Sequence, residues 1–398
     1  MEVEQLDETQ KQAVADLKAK NKELLDKGNS YHDDFFFTRW LIARSWNVDQ
    51  ADEMLKASMK WRADEGIDTL VEEYGKEGNE LREMLERYCP MGMHGVDKRG
   101  CPIYIERVGS FDIQGLLASA SMEQLKRHHV FQIERAEVMK TKASNDAGKQ
   151  FRKHYVIEDL SNLGWEHVSQ NTLDLTKELL RLDESHFPES IIKLYIINAP
   201  WAFNAVWKII KPVLSERTVN KIEILGTDFL PTLLEVVDKN ELPVQLGGSC
   251  DKCSGQCVSD GGKIPESFYK GFDVGAHHEN TVHDAVVPRS GIHEVRVPVA
   301  EGALLCYEFW TDDYDVSYGV AFCAKGESEQ RIPILPVNRV NSHEKHITGS
   351  VTADKDGSFI LIFDNSFSTF RKKQLHYKLA VPTATDEPDV VESDVAAK

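Results

Sequence analysis

Tyr195-Ile-Ile-Asn-Ala-Pro-Trp-Ala-Phe203, followed by Lys211-Pro-Val-Leu214 and Lys221-Ile-Glu-Ile-Leu-Gly226, is the stretch on which the reading of this chain turns. The run from Leu194 to Ile197 reads as a buried strand, stopped by Asn198-Ala-Pro200. The next segment is apolar on almost every side: Trp201, Phe203, Ala205, Val206, Trp207, Ile209, Ile210, Val213 and Leu214. A helix apolar all round is either buried or in contact with lipid. At about fourteen residues it falls short of the roughly twenty that span a bilayer. Together the two limits predict a lid over an apolar ligand. Ordinary core packing is the alternative reading. Tryptophan and phenylalanine crowd directly behind a strand end, where clefts in open α/β sheets lie, and this favours the lid.

Working outward, residues from about 88 to 250 alternate strands with helices. Candidate strands are Pro102 to Val108, Tyr155 to Asp159, Leu194 to Asn198 and Lys221 to Leu225, with helices near 122–143, 165–185, 201–214 and 228–240. That alternation predicts a mainly parallel sheet with helices packed on it, closing at Leu242-Pro-Val-Gln-Leu-Gly-Gly248. Upstream, residues 1–75 are charge-rich with helical periodicity. Phe36, Trp40 and Ala43 share a face, and Asn47-Val-Asp-Gln50 resembles a capping box before a helix whose inner stripe is Ala51, Met54, Leu55, Ser58 and Trp61 or Arg62. Downstream, residues 251–281 form a linker rich in Gly, Cys, Ser and His. Alternating sets then follow: Val295, Val297, Val299; Leu305, Tyr307, Phe309; Phe359, Leu361, Phe363; Leu375, Tyr377, Leu379. They predict a β-sandwich over 282–381. The expected architecture is multi-domain: a helical N-terminal cap, an α/β unit over 76–250, an all-β sandwich, and a disordered acidic tail over 382–398.

Composition narrows function by exclusion. The net charge of −18 argues against nucleic acid, and against strong constitutive attachment to an anionic membrane, so membrane contact is expected to be transient and apolar. The N-terminus is polar and no apolar run reaches spanning length, so a cytoplasmic protein is expected. Seven cysteines, odd in number and unevenly spaced, do not form a disulfide framework. Neither a P-loop, a Gly-x-Gly-x-x-Gly run nor a Gly-x-Ser-x-Gly elbow occurs. Cys250, Cys253 and Cys257 with His277-His278 fall short of a zinc site. The pairs His128-His129, Glu158-Asp159 and Asp183-Glu184 each diverge along their own element, so no convergent catalytic site is expected. The chain reads as a non-enzyme without metal or cofactor. Two polar features remain. Glu189 and Lys221, each just before a strand or at its start, form either a structural ion pair or a headgroup anchor. Arg39 or Arg44 on the aromatic helix suits a lipid phosphate.

Phe36-Phe-Thr-Arg-Trp-Leu-Ile-Ala-Arg-Ser-Trp46, Gly100-Cys-Pro-Ile-Tyr104, the Tyr195 to Gly226 block and Leu242 to Gly248 resemble, in order and spacing, the CRAL-TRIO lipid-transfer family. The strand region ending in Phe363-Asp-Asn-Ser-Phe-Ser368 resembles a GOLD (Golgi dynamics) domain. The resemblance implies a non-enzymatic lipid carrier with an apolar pocket on a sheet floor and a mobile gate, here Trp201, Phe203, Val206, Trp207, Ile210, Val213 and Leu214. It also implies a headgroup set at Arg44, Glu189, Thr218 and Lys221, with Tyr104 matching a pocket tyrosine. Ser190 stands where phosphoinositide-transferring members have a basic residue, and the strand ending at Asp159 lacks their serine and threonine for phosphatidylcholine. The implied ligand is thus a phospholipid, phosphatidylinositol among them, or a neutral isoprenoid such as tocopherol or squalene. A trafficking adaptor that recruits a protein partner through the GOLD domain is the alternative.

Overall fold

The computed structural model describes residues 6–26, 33–164, 167, 169–200, 203–250, 258, 260–270, 281–326, 330–381 and 391–396. The chain divides into two compact units, one of residues 1–163, 175–200 and 210–272 and the other of 164–174, 201–209 and 273–398.

The first unit opens with six helices: α1 (Glu8–Lys20), α2 (Lys22–Asp26), α3 (Asp34–Ala43), α4 (Val48–Asp64), α5 (Leu70–Tyr74) and α6 (Glu80–Tyr88). Asp7 and Gln10 cap α1 reciprocally, satisfying two of its orphan N–H groups. Asn47 accepts from the Gln50 amide to start α4, half of the capping box expected there. Phe36, Phe37, Trp40 and Leu41 of α3 meet Ala51, Met54 and Leu55 of α4 and Leu17 of α1 in one buried cluster.

A five-stranded sheet follows, in the order β1 (Met91–Val96), β2 (Pro102–Glu106), β3 (His154–Asp159), β4 (Ile191–Ile197), β5 (Ile222–Ile224). Strands β2 to β5 are parallel and β1 is antiparallel to β2. The sequence Met-Gly-Met-His-Gly-Val of β1 lacks β-branched alternation, so pattern reading misses it. Helices α7 (Ile113–Ser119), α8 (Met122–Ala147), α9 (Gln170–His186), α11 (Glu216–Val219) and α12 (Leu230–Val236) complete the α/β region, whereas α10 (Phe203–Ile210) groups with the second unit up to Ile209. Ile103, Ile105, Ile157, Tyr195 and Ile197 form one core with Leu233, Val237 and Leu242. Side chains alternate across a strand, so Tyr104, Glu106 and Glu158 project from the opposite sheet face.

One sequence expectation needs correction here. The segment 201–214 is not one helix: α10 ends at Ile210 and a 3₁₀ turn, Lys211–Val213, follows. Pro212 lacks an N–H and its ring crowds the preceding turn, which stops the α-helix. Among the described residues, no helix is long and apolar enough to cross a membrane.

The second unit is mainly a sandwich of two antiparallel sheets. Its strands are β6 (His283–Val287), β7 (Gly291–Val299), β8 (Leu304–Thr311), β9 (Val316–Ala324), β10 (Ile332–Val340), β11 (Ile347–Thr352), β12 (Gly357–Asp364), β13 (Lys373–Ala380) and β14 (Val391–Ala396). The sheets run β10-β9-β12-β7-β14 and β11-β8-β13-β6. All four alternating sets read from the sequence lie in its core. The expected disordered tail is not found at Val391–Ala396, which pairs antiparallel with β7 in register with Gly291 to Arg296. An exposed edge of N–H and C=O groups there outweighs the low apolar content of the tail.

Phe309 and Phe363 meet edge-to-face in this core, with ring centroids 4.9 Å apart and neither exposed. Phe309→Ala should lower the unfolding free energy of the sandwich by about 3–5 kcal/mol, read from urea titration with residue-resolved hydrogen exchange to separate it from the α/β unit.

Candidate functional site: a cation-lined sheet edge and a deep carboxyl pair

Residues just before neighbouring parallel strands must converge, because the strands start side by side. Lys153, Ser190 and Lys221 immediately precede β3, β4 and β5, with Glu189 one position further back. The Lys153 and Lys221 ammonium groups both donate to the Glu189 Oε2, each at 2.8 Å. Arg39 of α3 reaches the same edge: its Nε donates to the Pro188 carbonyl at 2.8 Å and its Nη2 to the Ser190 Oγ at 3.2 Å. Two lysines thus share one carboxylate, with the Arg39 guanidinium beside them.

Glu189 has a left-handed backbone, φ 58°, which a non-glycine residue adopts at a cost. Burial alone would raise its pKa, but Lys153 and then Lys221 hold it below the ordinary carboxylate range. Burial lowers the Lys153 pKa, and Glu189 only partly restores it.

Of the positions carried by family resemblance, Glu189 and Lys221 come together as an ion pair. Thr218 is tied elsewhere: its hydroxyl bonds to the Glu184 carboxylate and to the Ser215 Oγ, which caps α11. Arg44 ends α3 with its Nη1 on the adjacent Ala43 carbonyl, so Arg39 is the arginine bonded at the edge. Tyr104 lies mid-strand in β2, edge-on to the His154 ring at 6.4 Å. Lys153 escapes pattern reading, although its position directly before β3, like that of Glu189 and Lys221 before the next two strands, is a usable signal.

On the sheet face away from the Ile105 core, Glu106 and Glu158 are direct partners across β2 and β3. His129 of α8 and Asp183 of α9 join them, with Nε2 2.8 Å from Oδ1. The expectation that the adjacent polar pairs cannot converge is corrected at this point. One member of each of three pairs meets here, because packing of α8 and α9 brings together groups that diverge along their own elements. Burial, with the neighbouring carboxylates adding to it, raises the pKa values of Glu106 and Glu158. Burial lowers that of His129, but Asp183 and then Glu106 outweigh it, so its pKa lies above the ordinary imidazole value. Yet His129 keeps 26% and Asp183 38% of its side-chain surface accessible.

Within the second unit, Val206 and Ile209 of α10 pack on the outer face of the sandwich, against Leu304, Cys306 and Ala380. Phe203 stacks on Trp207 at 6.2 Å and is buried, as is Ile210; Val213 and Leu214 are half-buried. Trp201, Cys253, Cys257, His277 and His278 lie outside the described residues, among which no three potential ligands cluster for a metal.

The raised Glu158 pKa gives a signed prediction. The fold favours the neutral carboxyl, so that contribution is intact below 4.5 and is lost as pH rises through the folded value. Glu158→Gln should therefore be more stable than the parent in alkaline buffer, with the difference shrinking to nothing in acid, read from urea midpoints across a pH series.

Comparison with known proteins agrees with this architecture. Residues 86–248 match the CRAL/TRIO domain model, and residues 324–381 match one described as Golgi-dynamics membrane-trafficking. The chain is similar to the phosphatidylinositol/phosphatidylcholine transfer protein SFH7 of Arabidopsis thaliana, 35% identical over 233 residues, covering 58% of this chain and 41% of the relative. The corresponding protein SFH4 of the same plant is 36% identical over 235 residues, covering 59% and 37%. The chain thus spans about two fifths of the length of these relatives. Among solved structures it resembles Sfh5, with a TM-score of 0.50 at 15% identity over 67% of this chain and 96% of that one, a likeness of fold. The mainly parallel sheet coincides with the CRAL/TRIO match at residues 86–248, and the later strands of the sandwich coincide with the Golgi-dynamics match at residues 324–381.

Proposed function

We propose that this protein binds one lipid and carries it between membranes, with the lipid phosphate at the Arg39, Lys153 and Lys221 edge. The observation that carries this reading is that Lys153 and Lys221 share the single Glu189 carboxylate. A buried carboxylate between two lysines leaves part of their charge uncompensated, and a phosphate diester can share or displace it through charge-assisted hydrogen bonds. Arg39, bonded to Ser190, is placed to add a planar fork. In this reading Arg39, not Arg44, is the headgroup arginine, and Thr218 acts through Glu184.

The dimensions suit such a ligand. Strand β4 has seven residues and so runs roughly 20 Å from the cationic edge to the Asn198–Pro200 turn before α10. An acyl chain laid along the strands spans a similar length. Val206, Trp207 and Ile210 of α10, with Phe203, Val213 and Leu214, serve as the gate in this reading. Tyr104, Glu106 and Glu158 lie between the two ends, so the ligand passes a carboxyl pair. Such a floor favours a molecule that offers a hydrogen-bond donor. Among neutral isoprenoids, tocopherol with its hydroxyl satisfies that demand and squalene, a bare hydrocarbon, does not.

The test is transfer of fluorescent phosphatidylinositol and phosphatidylcholine between vesicles. Lys221→Ala combined with Glu189→Ala should slow phospholipid transfer on the order of tenfold to a hundredfold, the loss expected when charged hydrogen bonds to a phosphate disappear. Tocopherol binding should be largely retained. Equal loss of both ligands would make the pair structural. Binding without any transfer by the parent protein would favour a lipid-regulated trafficking adaptor acting through the sandwich.

A further inference from the structure

One loop of the sandwich departs from the charge character of the whole chain. Between β12 and β13 the sequence Ser366-Phe-Ser-Thr-Phe-Arg-Lys-Lys373 places aromatic and basic residues together in a molecule of net charge −18. Phe370 at its tip is 91% exposed, the most exposed of the large apolar side chains among the described residues. Phe367 and Tyr314 beside it are 40% and 42% exposed. A single exposed leucine needs no explanation, but three neighbouring aromatic rings form a patch.

The loop is fastened, so this exposure is a built feature. Asn365, fully buried, donates from Nδ2 to the Pro288 carbonyl at 3.1 Å and to the Arg371 carbonyl at 2.8 Å. The Ser368 amide donates to the Asn365 carbonyl at 3.0 Å, and the Ser290 amide to the Ser368 carbonyl at 2.9 Å. These bonds clamp both ends of the turn and hold Phe370 in water.

Cations are layered on the rings. The Arg339 guanidinium lies 4.1 Å from the centre of Phe367, Arg371 lies 4.2 Å from Tyr314, and the Lys373 ammonium lies 4.8 Å from Tyr314. Asp315 neutralises Arg339 and sits 3.8 Å from Lys373. Arg371 and Lys372 are exposed and have no acidic partner among the described residues. Asp312 and Asp313, just before Tyr314 in sequence, are also exposed, and Asp312 is bonded to His376.

We propose that this tip is a membrane-docking element. Phe370 enters the headgroup–acyl boundary of an anionic bilayer, Phe367 and Tyr314 lie at the headgroup level, and Arg371 and Lys372 pair with lipid phosphates. A protruding ring flanked by free cations on a rigid turn fits a planar partner that is anionic outside and apolar beneath. Amphipathic rings at such depths are the usual interfacial anchors, and one apolar anchor with basic neighbours gives reversible binding. Protein interfaces, by contrast, are centred on pockets that receive an aromatic anchor, and they deplete lysine. The tip therefore supplies membrane contact independent of lipid carriage.

Sedimentation of the full chain with phosphatidylcholine vesicles, with and without phosphatidylserine, tests this. The parent should bind phosphatidylserine-containing vesicles more tightly, and added salt should weaken that binding. Phe370→Ser and the pair Arg371→Ala, Lys372→Ala should each weaken it on the order of tenfold. All three positions are exposed, so unchanged thermal unfolding is expected, and a Phe370→Trp variant with blue-shifted emission on vesicles reports insertion directly. Binding that ignores both substitutions while the parent binds, or that is indifferent to phosphatidylserine, overturns the proposal. So does a Phe370→Ser variant that changes only the self-association state, which would assign the patch to a second copy of the chain. Failure of vesicle-to-vesicle transfer, with tip-dependent binding intact, would count against lipid carriage alone.

Discussion

Period-two alternation along the parallel strands is the constraint on which the α/β unit depends. One face of β2, β3 and β4 carries Ile103, Ile105, Ile157 and Ile197 into a core with Leu233 and Leu242, and that burial holds the sheet together. The same backbone geometry sends Tyr104, Glu106 and Glu158 to the other face. A sheet face with two adjacent carboxyls cannot close into a dry core unless the acids are neutralised. Here burial raises the pKa values of both acids, and the His129 imidazole bonded to Asp183 lies beside them. One strand pattern thus yields an apolar core on one side and a face bearing paired carboxyl groups on the other.

Charge distribution matters more here than net charge. The chain is strongly acidic, yet Lys153 and Lys221 share Glu189 with Arg39 beside them, and Arg371 and Lys372 stand beside an exposed aromatic patch. At physiological ionic strength, charges more than about 8 Å apart are largely screened, so each basic cluster presents its own local field. The expectation that acidic composition weakens attachment to anionic membranes rests on the molecular average, which does not resolve these two places.

Segment 203–209 groups with the sandwich and not with the strand that precedes it in sequence. Val206 and Ile209 cover an apolar corner on the outer sheet, where Cys306 and Ala380 are direct cross-strand partners. A segment that is apolar all round therefore has one side occupied by the C-terminal sandwich. The linear order of domains conceals that arrangement.

Much of this was legible in the residues. Alternating sets such as Val295, Val297 and Val299 specify sandwich strands, because a period of two is a local property. The α3 and α4 stripes specify helices for the same reason, and Glu189 with Lys221 could be paired once their strands were taken as neighbours. Strand β1 was not legible, since its glycines carry no pattern, nor was the pairing of Val391–Ala396, which a waiting sheet edge decides. Arg39 and Arg44 are both plausible phosphate ligands on one short helix, and only packing determines which one meets Ser190. Lys153, His129, Asp183 and the Asn365 clamp behind Phe370 belong to segments far apart in the chain. The sequence alone determined element type and the inward face of each strand, since those follow from neighbours a few residues away. Tertiary structure alone decided which charges converge, because side-chain electrostatics act over a few ångströms of space irrespective of distance along the chain.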